Sequence, residues 1–154
     1  MKRTLEGGFE IDDDRSRVDV DAVHRFLTEE AYWVAGRSRE TIERLVREST
    51  RVIGAYAADG ALVGFARVVT DGSNFAWLGD VFVLVEHRGR GLGVELVREA
   101  VEHEPERHCT WYLNTRDAHG LYARFGFRPA NDAPARLGTE RARVATGRFP
   151  ERAR

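Results

Sequence analysis

The sequence has little cysteine and lysine and no long apolar run. Cys109 is the only cysteine, so no internal disulfide can form, and the spacing of cysteine and histidine matches no structural metal site. No segment reaches the roughly 20 apolar residues of a membrane-spanning helix, and the first residues lack the apolar stretch of a signal peptide. These absences argue against a disulfide-rich secreted domain and a helical membrane protein, and they predict a cytoplasmic protein without a membrane partner.

Positive and negative charges almost cancel. The 154 residues contain 24 Lys and Arg against 25 Asp and Glu, a net charge of −1, which does not favour a nucleic-acid partner. Hydrophobic residues (42%) and charged residues (32%) are in the proportions typical of a globular domain. The length fits one domain. We therefore predict a single domain over residues 1–154, with residues 131–154 as a loosely defined carboxyl-terminal end.

Hydrophobic periodicity predicts a mixed α/β (α+β) domain, with helices packed on one sheet in the order β, α, α, β, β, β, α, β, α. Asp19 and Ser38 are placed to cap the first two helices, and Asp59-Gly60 predicts a hairpin turn. The predicted strands are Phe9–Ile11, 51–56, 62–69, 75–85 and 109–113, and the later helices begin near Leu92 and Asp117. The strand that ends at Val85 leads into a basic, glycine-rich loop.

The loop Arg88-Gly89-Arg90-Gly91-Leu92-Gly93 has the properties of an anion site. A strand, a glycine-rich turn and a helix N-terminus together present free N–H groups to a phosphate. A P-loop is excluded because no lysine follows the glycines. The dinucleotide fingerprint is excluded because Val94 and Leu96 stand where its third glycine is required.

The loop matches the pattern Arg-x-x-Gly-x-Gly, and here the chain resembles the GCN5-related N-acetyltransferase (GNAT) superfamily. Residues 121–127 (Leu-Tyr-Ala-Arg-Phe-Gly-Phe) are similar to the family's late Leu-Tyr-x-x-x-Gly-Phe segment, and the resemblance covers most of residues 8–130. It implies a GNAT-like fold: a mostly antiparallel sheet with a splayed cofactor-binding strand and about four helices. Two residues depart from the family pattern, Thr115 in place of a common asparagine and Val85 in place of a common proline.

The resemblance also implies a co-substrate, acetyl-CoA, with its pyrophosphate on the loop. A backbone N–H at Val83 or its neighbour would polarise the thioester carbonyl. The expected cofactor-binding residues are Val81, Phe82, Val83, Arg88, Gly89, Arg90, Gly91, Leu92, Gly93, Thr115 and Tyr122.

Two residues are candidates for proton transfer. Asp80 is the candidate base because a carboxylate is out of character on a strand between Trp77 and Val81. The alternative for Asp80 is an exposed carboxylate or an ion pair with an arginine. Tyr122 is the general acid that the resemblance implies for the leaving thiolate, and its alternative is an aromatic residue packed in the core.

The resemblance implies an acceptor site at the loop between the first two helices and on the strand face opposite the cofactor. There the chain has aromatic and cationic residues, namely Tyr32, Trp33, Arg37 and Arg67, together with Asp80. This set predicts a pocket with apolar walls for an amine that carries a carboxylate or phosphate. The alternative is that the rings cover the core and the arginines pair with surface carboxylates. The predicted function is acetyl transfer from acetyl-CoA to a small-molecule amine in a ternary complex. A protein amine, aminoacyl-tRNA, a non-catalytic CoA-binding module and a homodimer all remain open.

Overall fold

The strands form one mixed sheet. The computed structural model describes residues 1–31, 36–115 and 117–129 and the backbone of residues 143–146. Within this part of the chain, eight strands lie side by side in the order β1-β2-β3-β4-β5-β6-β8-β7. They are β1 (Lys2–Thr4), β2 (Glu10–Asp12), β3 (Arg51–Tyr56), β4 (Leu62–Thr70), β5 (Phe75–Val83), β6 (Thr110–Asn114), β7 (Arg128–Pro129) and β8 (Arg143–Thr146).

The strand directions follow from the connections. Strands β1 to β5 pair antiparallel, and β3, β4 and β5 are joined by short turns. Asp59 and Asp71 stabilise these turns by accepting hydrogen bonds from backbone N–H groups two to four residues later. The connection from β5 to β6 contains a helix, so this pair is parallel, as are the pairs β6–β8 and β7–β8.

Helices cover both faces of the sheet. Helices α1 (Val20–Glu29) and α2 (Arg39–Glu48) bury Phe26, Leu27 and Ile42 against β3, β4 and β5. The predicted caps are confirmed, since Asp19 accepts from the N–H of Ala22 and Ser38 accepts from the N–H of Thr41. Helices α3 (Leu92–Val101) and α4 (His119–Ala123) lie on the opposite face, in a core that includes the fully buried Trp111.

The structure confirms the predicted fold class and corrects several boundaries. Strand β5 ends at Val83 and not at Val85, because residues 85–87 form a 3-10 turn. The three-residue strand β1 was not predicted, since a pattern this short carries no clear periodicity. Strand β8 lies within the end that was expected to be loosely defined, and it pairs with β6.

Two findings concern classes of function. In the described residues, no helix has the length and apolar composition needed to cross a membrane. The same residues contain no group of three or more His, Cys, Asp and Glu side chains arranged to hold a metal ion.

Candidate active site

Strands β5 and β6 separate in the middle of the sheet. They pair in register from Phe75–Thr110 to Leu78–Leu113, and the pairing stops there although β5 continues to Val83. We call the resulting gap between residues 79–83 and the end of β6 the splay. No strand in the described part of the chain pairs with this edge of β5 along the splay, so backbone groups on that edge are available to a ligand.

The backbone of Val83 points into the splay. The N–H of Leu84 donates to the carbonyl of Val63 at 2.8 Å, and Val83 lies opposite Gly64. In an antiparallel ladder this bond pattern makes Val83 and Gly64 a non-hydrogen-bonded pair, so both backbone groups of Val83 point away from β4. The carbonyl of Val83 accepts from Nε of Arg88 at 2.9 Å. Its N–H is therefore a donor at the edge of the gap.

The glycine-rich loop follows directly and requires glycine at two positions. Gly89 and Gly91 have φ values of 74° and 79°, the left-handed region, and Gly91 is the cap residue from which α3 begins. Apart from chain neighbours, no heavy atom of a described residue lies within 4 Å of the point where a Cβ would stand at either glycine. The first N–H groups of α3 have no partner within the helix, so loop and helix together form an open anion site.

The side chains of the loop arginines lie beside this anion site. Arg88 is exposed and is anchored by its bond to Val83. The guanidinium of Arg90 lies 5.7 Å from the ring centroid of Phe9. Leu92 is buried, and Gly93 faces Leu121 of α4 and Val83 of β5. The loop, the end of β5 and α4 are therefore brought together as predicted.

Tyr122 and Thr115 also belong to this side of the sheet. Tyr122 is buried, follows Leu121, and packs edge-on against Phe127 with ring centroids 5.9 Å apart. Thr115 follows the last residue of β6, and its Oγ1 accepts from the N–H of Ala118 at 3.1 Å. The hydroxyl hydrogen of Thr115 is not used in that bond. Tyr122 is thus packed in the core, as one of its two predicted roles requires, and its role in proton transfer stays a prediction.

Asp80 lies in a bulge of β5 on the opposite face. Phe65 pairs with Phe82 and Arg67 pairs with Gly79, so two residues of β5, Asp80 and Val81, stand opposite one residue of β4. Asp80 has a φ of 51°, a left-handed conformation that a residue other than glycine adopts at some cost. The bulge turns the carboxylate toward the face that carries α1 and α2.

Two arginines hold the carboxylate of Asp80. Oδ2 accepts from Nε of Arg67 at 2.5 Å and from Nη1 of Arg37 at 2.9 Å. The side chain of Asp80 is 3% exposed, that of Arg67 9% and that of Arg37 30%. Oδ1 accepts no hydrogen bond from a residue that the structure describes. The ion-pair alternative for Asp80 is therefore correct as geometry, whereas its role as a base stays a prediction.

Arg67 is fixed by a second set of contacts that the sequence did not indicate. Its guanidinium lies 4.8 Å from the ring centroid of Trp77, and Nη1 is 3.5 Å from Oγ of Ser49. The Trp77 ring lies over Gly79, where a Cβ would come within 1.9 Å of it. Ser49 gave no signal in the sequence, because it serves only as the end of α2.

The structure brings Arg37, Arg67 and Asp80 into one cluster, which we call the Asp80 cluster. The other two residues predicted for the acceptor site, Tyr32 and Trp33, lie outside the described residues. The loop and the Asp80 cluster lie on opposite faces of the same strand, with the splay between them. This arrangement lets two ligands approach one point on β5 from two sides.

Comparisons with known proteins show the family and the fold of this chain. The model of the acetyltransferase (GNAT) family matches residues 20–127. A solved structure of a GNAT-family protein from Xanthomonas campestris is 35% identical and superposes with a TM-score of 0.76, covering 89% of this chain and 96% of that one. A GNAT-family protein from Streptococcus pneumoniae shares the fold at 24% identity, with a TM-score of 0.63 over 84% and 96% of the two chains. A relative from Gibberella zeae, named as a candidate acetyltransferase, is 25% identical over 90% of this chain and 89% of its own.

Proposed function

Because the chain belongs to the acetyltransferase (GNAT) family, we propose that it transfers an acetyl group from acetyl-CoA directly to the amine of a small molecule in one ternary complex. The observation that carries this proposal is the pair of sites on the two faces of β5. An anion-binding loop lies on one face and a buried carboxylate lies on the other. Bringing two reactants together in this way supplies up to about 7–11 kcal/mol of a reaction barrier.

The loop fits the pyrophosphate of acetyl-CoA. The open space above Gly89 and Gly91 lets a phosphate reach the backbone, and the start of α3 favours negative charge there. Arg88 and Arg90 add positive charge beside it. These residues would hold the co-substrate, with Thr115 near its arm, and when bound it supplies the acetyl group as a thioester.

The residues around the splay divide the remaining work. The N–H of Val83 donates to the carbonyl oxygen as negative charge develops on it. Oδ1 of Asp80 accepts a proton from the amine, while Arg67 and Arg37 hold Oδ2 in place. The hydroxyl of Tyr122 gives a proton to the sulfur as the C–S bond breaks and the C–N bond forms. Val81 and Phe82 lie between Asp80 and Val83 on β5 and set the distance between the base and the N–H donor.

The first test is titration calorimetry with acetyl-CoA and, separately, with free CoA. We expect saturable binding of both, and a loss of at least about tenfold in affinity in Gly91→Ala, because the methyl group blocks the approach of the phosphate and strains a left-handed position. Absence of binding to either ligand would overturn the proposed function.

Gly60→Ala is the matched control. Gly60 has a φ of 85° and equally open surroundings, but it lies in the turn between β3 and β4. The variant Gly60→Ala has the same backbone strain but does not touch the loop, so its affinity for acetyl-CoA should equal that of the unchanged protein. Release of CoA thiol from acetyl-CoA with a panel of amines then tests turnover. Binding without thiol release from any amine would favour a non-catalytic CoA-binding module.

A further inference from the structure

The charges of the Asp80 cluster do not balance. Two guanidinium groups share one carboxylate, and no second carboxylate bonds to either arginine within the residues that the structure describes. Positive charge in a partly buried site is costly unless an anion compensates for it. From this imbalance we infer that the acceptor amine carries an anionic group, a carboxylate or a phosphate, that binds to Arg37. The inference rests on the proposed function and names the substrate class of the same site.

Arg37 and not Arg67 has the capacity to bind this group. Arg67 already uses Nε on Asp80 and Nη1 on Ser49, and the face of its guanidinium packs against Trp77. Arg37 uses Nη1 on Asp80, and its side chain is more than three times as exposed as that of Arg67. Among the described residues, its other nitrogen atoms bond to no side chain. A guanidinium with free N–H groups in a fixed plane suits carboxylate and phosphate.

The position of Arg37 also fits a small acceptor. Asp80, to which Arg37 is bonded, lies three residues before Val83 on β5, a separation of at most about 10 Å along an extended strand. An amine at the splay and an anion at Arg37 can therefore belong to one small molecule. Asp80 lies between the amine end and the anionic end of that molecule, and its bond to Arg37 keeps the Arg37 guanidinium oriented.

The experiment compares pairs of amines that differ in the anionic group. The pairs are β-alanine with 3-aminopropanol, O-phosphoethanolamine with ethanolamine, and L-phenylalanine with L-phenylalaninol, each assayed by thiol release at saturating acetyl-CoA. We expect kcat/KM to favour the anionic member of at least one pair by on the order of 10- to 100-fold, the range of a hydrogen bond to a charged group. The carboxylate and phosphate pairs distinguish the two sources of the anion.

Arg37→Gln tests which residue is responsible. The variant should remove most of the preference by raising KM for the anionic member, because Arg37 holds a part of the acceptor that does not react. Because Arg37 also bonds to Oδ2 of Asp80, kcat should fall by the same factor for both members, while KM for the neutral member should be unchanged. An equal loss of kcat/KM for both members, with the preference for the anionic member kept, would mean that Arg37 acts only through Asp80, and that result would overturn the inference.

Arg39→Gln is the control for loss of charge. Arg39 lies two residues later and pairs with Asp21 and Glu43 on the exposed surface, so its removal changes the net charge equally without touching the Asp80 cluster. The preference of Arg39→Gln for the anionic amine of each pair should match that of the unchanged protein. Equal rates for both members of every pair would overturn the inference and leave acetyl transfer standing. Thiol release from no pair, while acetyl-CoA still binds, would also overturn it. Failure to bind acetyl-CoA would instead overturn the proposed function.

Discussion

At the scale of single residues, Asp80 combines a strained backbone with a buried charge. It is the only residue other than glycine with a positive φ in the described part of the chain, and its side chain is buried with two arginines. Backbone strain together with a buried charge is costly, and such costs collect at functional positions. The sequence marked Asp80 as out of place, whereas its partners are visible only in the folded protein.

Asp80→Asn tests the proton-transfer role. Asparagine tolerates a positive φ, so the backbone of the bulge should be kept. We expect kcat to fall by about 10²- to 10⁴-fold, because the group that accepts the amine proton is removed. The optimum of the pH–rate profile should move to higher pH, where more of the amine is already neutral. Affinity for acetyl-CoA, measured by calorimetry, should stay the same.

Removing the charge also leaves Arg67 buried without its partner, at a cost of about 3–5 kcal/mol. The kinetic comparison is therefore made below the melting temperature of the variant, which circular dichroism supplies. A pH–rate profile identical to that of the unchanged protein would sink the assignment of Asp80 as the base.

Tyr122→Phe separates chemistry from packing. The ring stays in contact with Phe127, so the free energy of unfolding should change by only about 1 kcal/mol. The value of kcat should fall by on the order of 10²-fold or more, because the leaving sulfur loses its proton donor. Tyr112→Phe is the control, since Tyr112 is exposed on β6 and stacks on Phe75. Full activity in Tyr122→Phe would assign Tyr122 to the core alone.

At the scale of elements, β5 performs two tasks because its two ends differ. Its first half pairs with β4 and β6, while its second half loses β6 and contains the bulge. The Trp77 ring folds over Gly79 and supports Arg67, which in turn holds Asp80. This arrangement of β5 thus depends on glycine at position 79, because any side chain there would meet the Trp77 ring.

Gly79→Ala tests this dependence. A Cβ at Gly79 would stand 1.9 Å from the Trp77 ring, so the ring must move and leave Arg67. We expect a loss of about 1–3 kcal/mol in the free energy of unfolding, measured by urea denaturation, and lower kcat as Asp80 loses its support. Gly120→Ala in α4 has open space around the added methyl group and should not destabilise the protein. Equal stability of the two variants would contradict the proposed support of Arg67 by Trp77.

At the scale of the whole molecule, the face of the sheet under α1 and α2 contains a buried titratable group, Tyr56, that affects the stability of the fold. Tyr56 is 1% exposed, its ring lies over Gly54, and its hydroxyl has no hydrogen-bond partner among the residues that the structure describes. Burial raises the pKa of Tyr56 to about 12, against the opposing effect of the Arg17 guanidinium 3.9 Å from the ring centroid. The folded protein therefore keeps this proton when the unfolded chain has lost it.

The consequence is a loss of stability at alkaline pH. An unfolded tyrosine titrates near pH 10, so the stabilising contribution of Tyr56 is complete below that pH and disappears as the pH rises toward 12. A difference of two units corresponds to on the order of 2–3 kcal/mol. Tyr56→Phe should remove this loss between pH 10 and 12 in urea denaturation, with little cost at pH 7 because the Tyr56 hydroxyl bonds to no described residue. An equal loss of unfolding free energy between pH 10 and 12 in both proteins would contradict the assignment of this loss to Tyr56.

Local features were determined by the sequence alone. The caps at Asp19 and Ser38, the turn at Asp59-Gly60 and the spacing of the loop glycines are contained within a few consecutive residues. Short-range sterics and hydrogen bonds decide such features wherever the rest of the chain lies. The fold class was predicted from these signals together with hydrophobic periodicity, and the family from the resemblance carried by the loop and residues 121–127.

The Asp80 cluster was decided only by the tertiary structure. Arg67 lies 13 residues from Asp80 along the chain and Arg37 lies 43 residues away, and both meet it because of one bulge in one strand register. Strand β8 and the end of the β5–β6 pairing likewise depend on which strands meet. A shift of one residue in register reverses the face of every side chain, and the turns that set the register of β4 and β5 do not reveal the bulge at Asp80 and Val81. The sequence thus determined which chemistry is available, and the packing of distant segments decided which residues perform it.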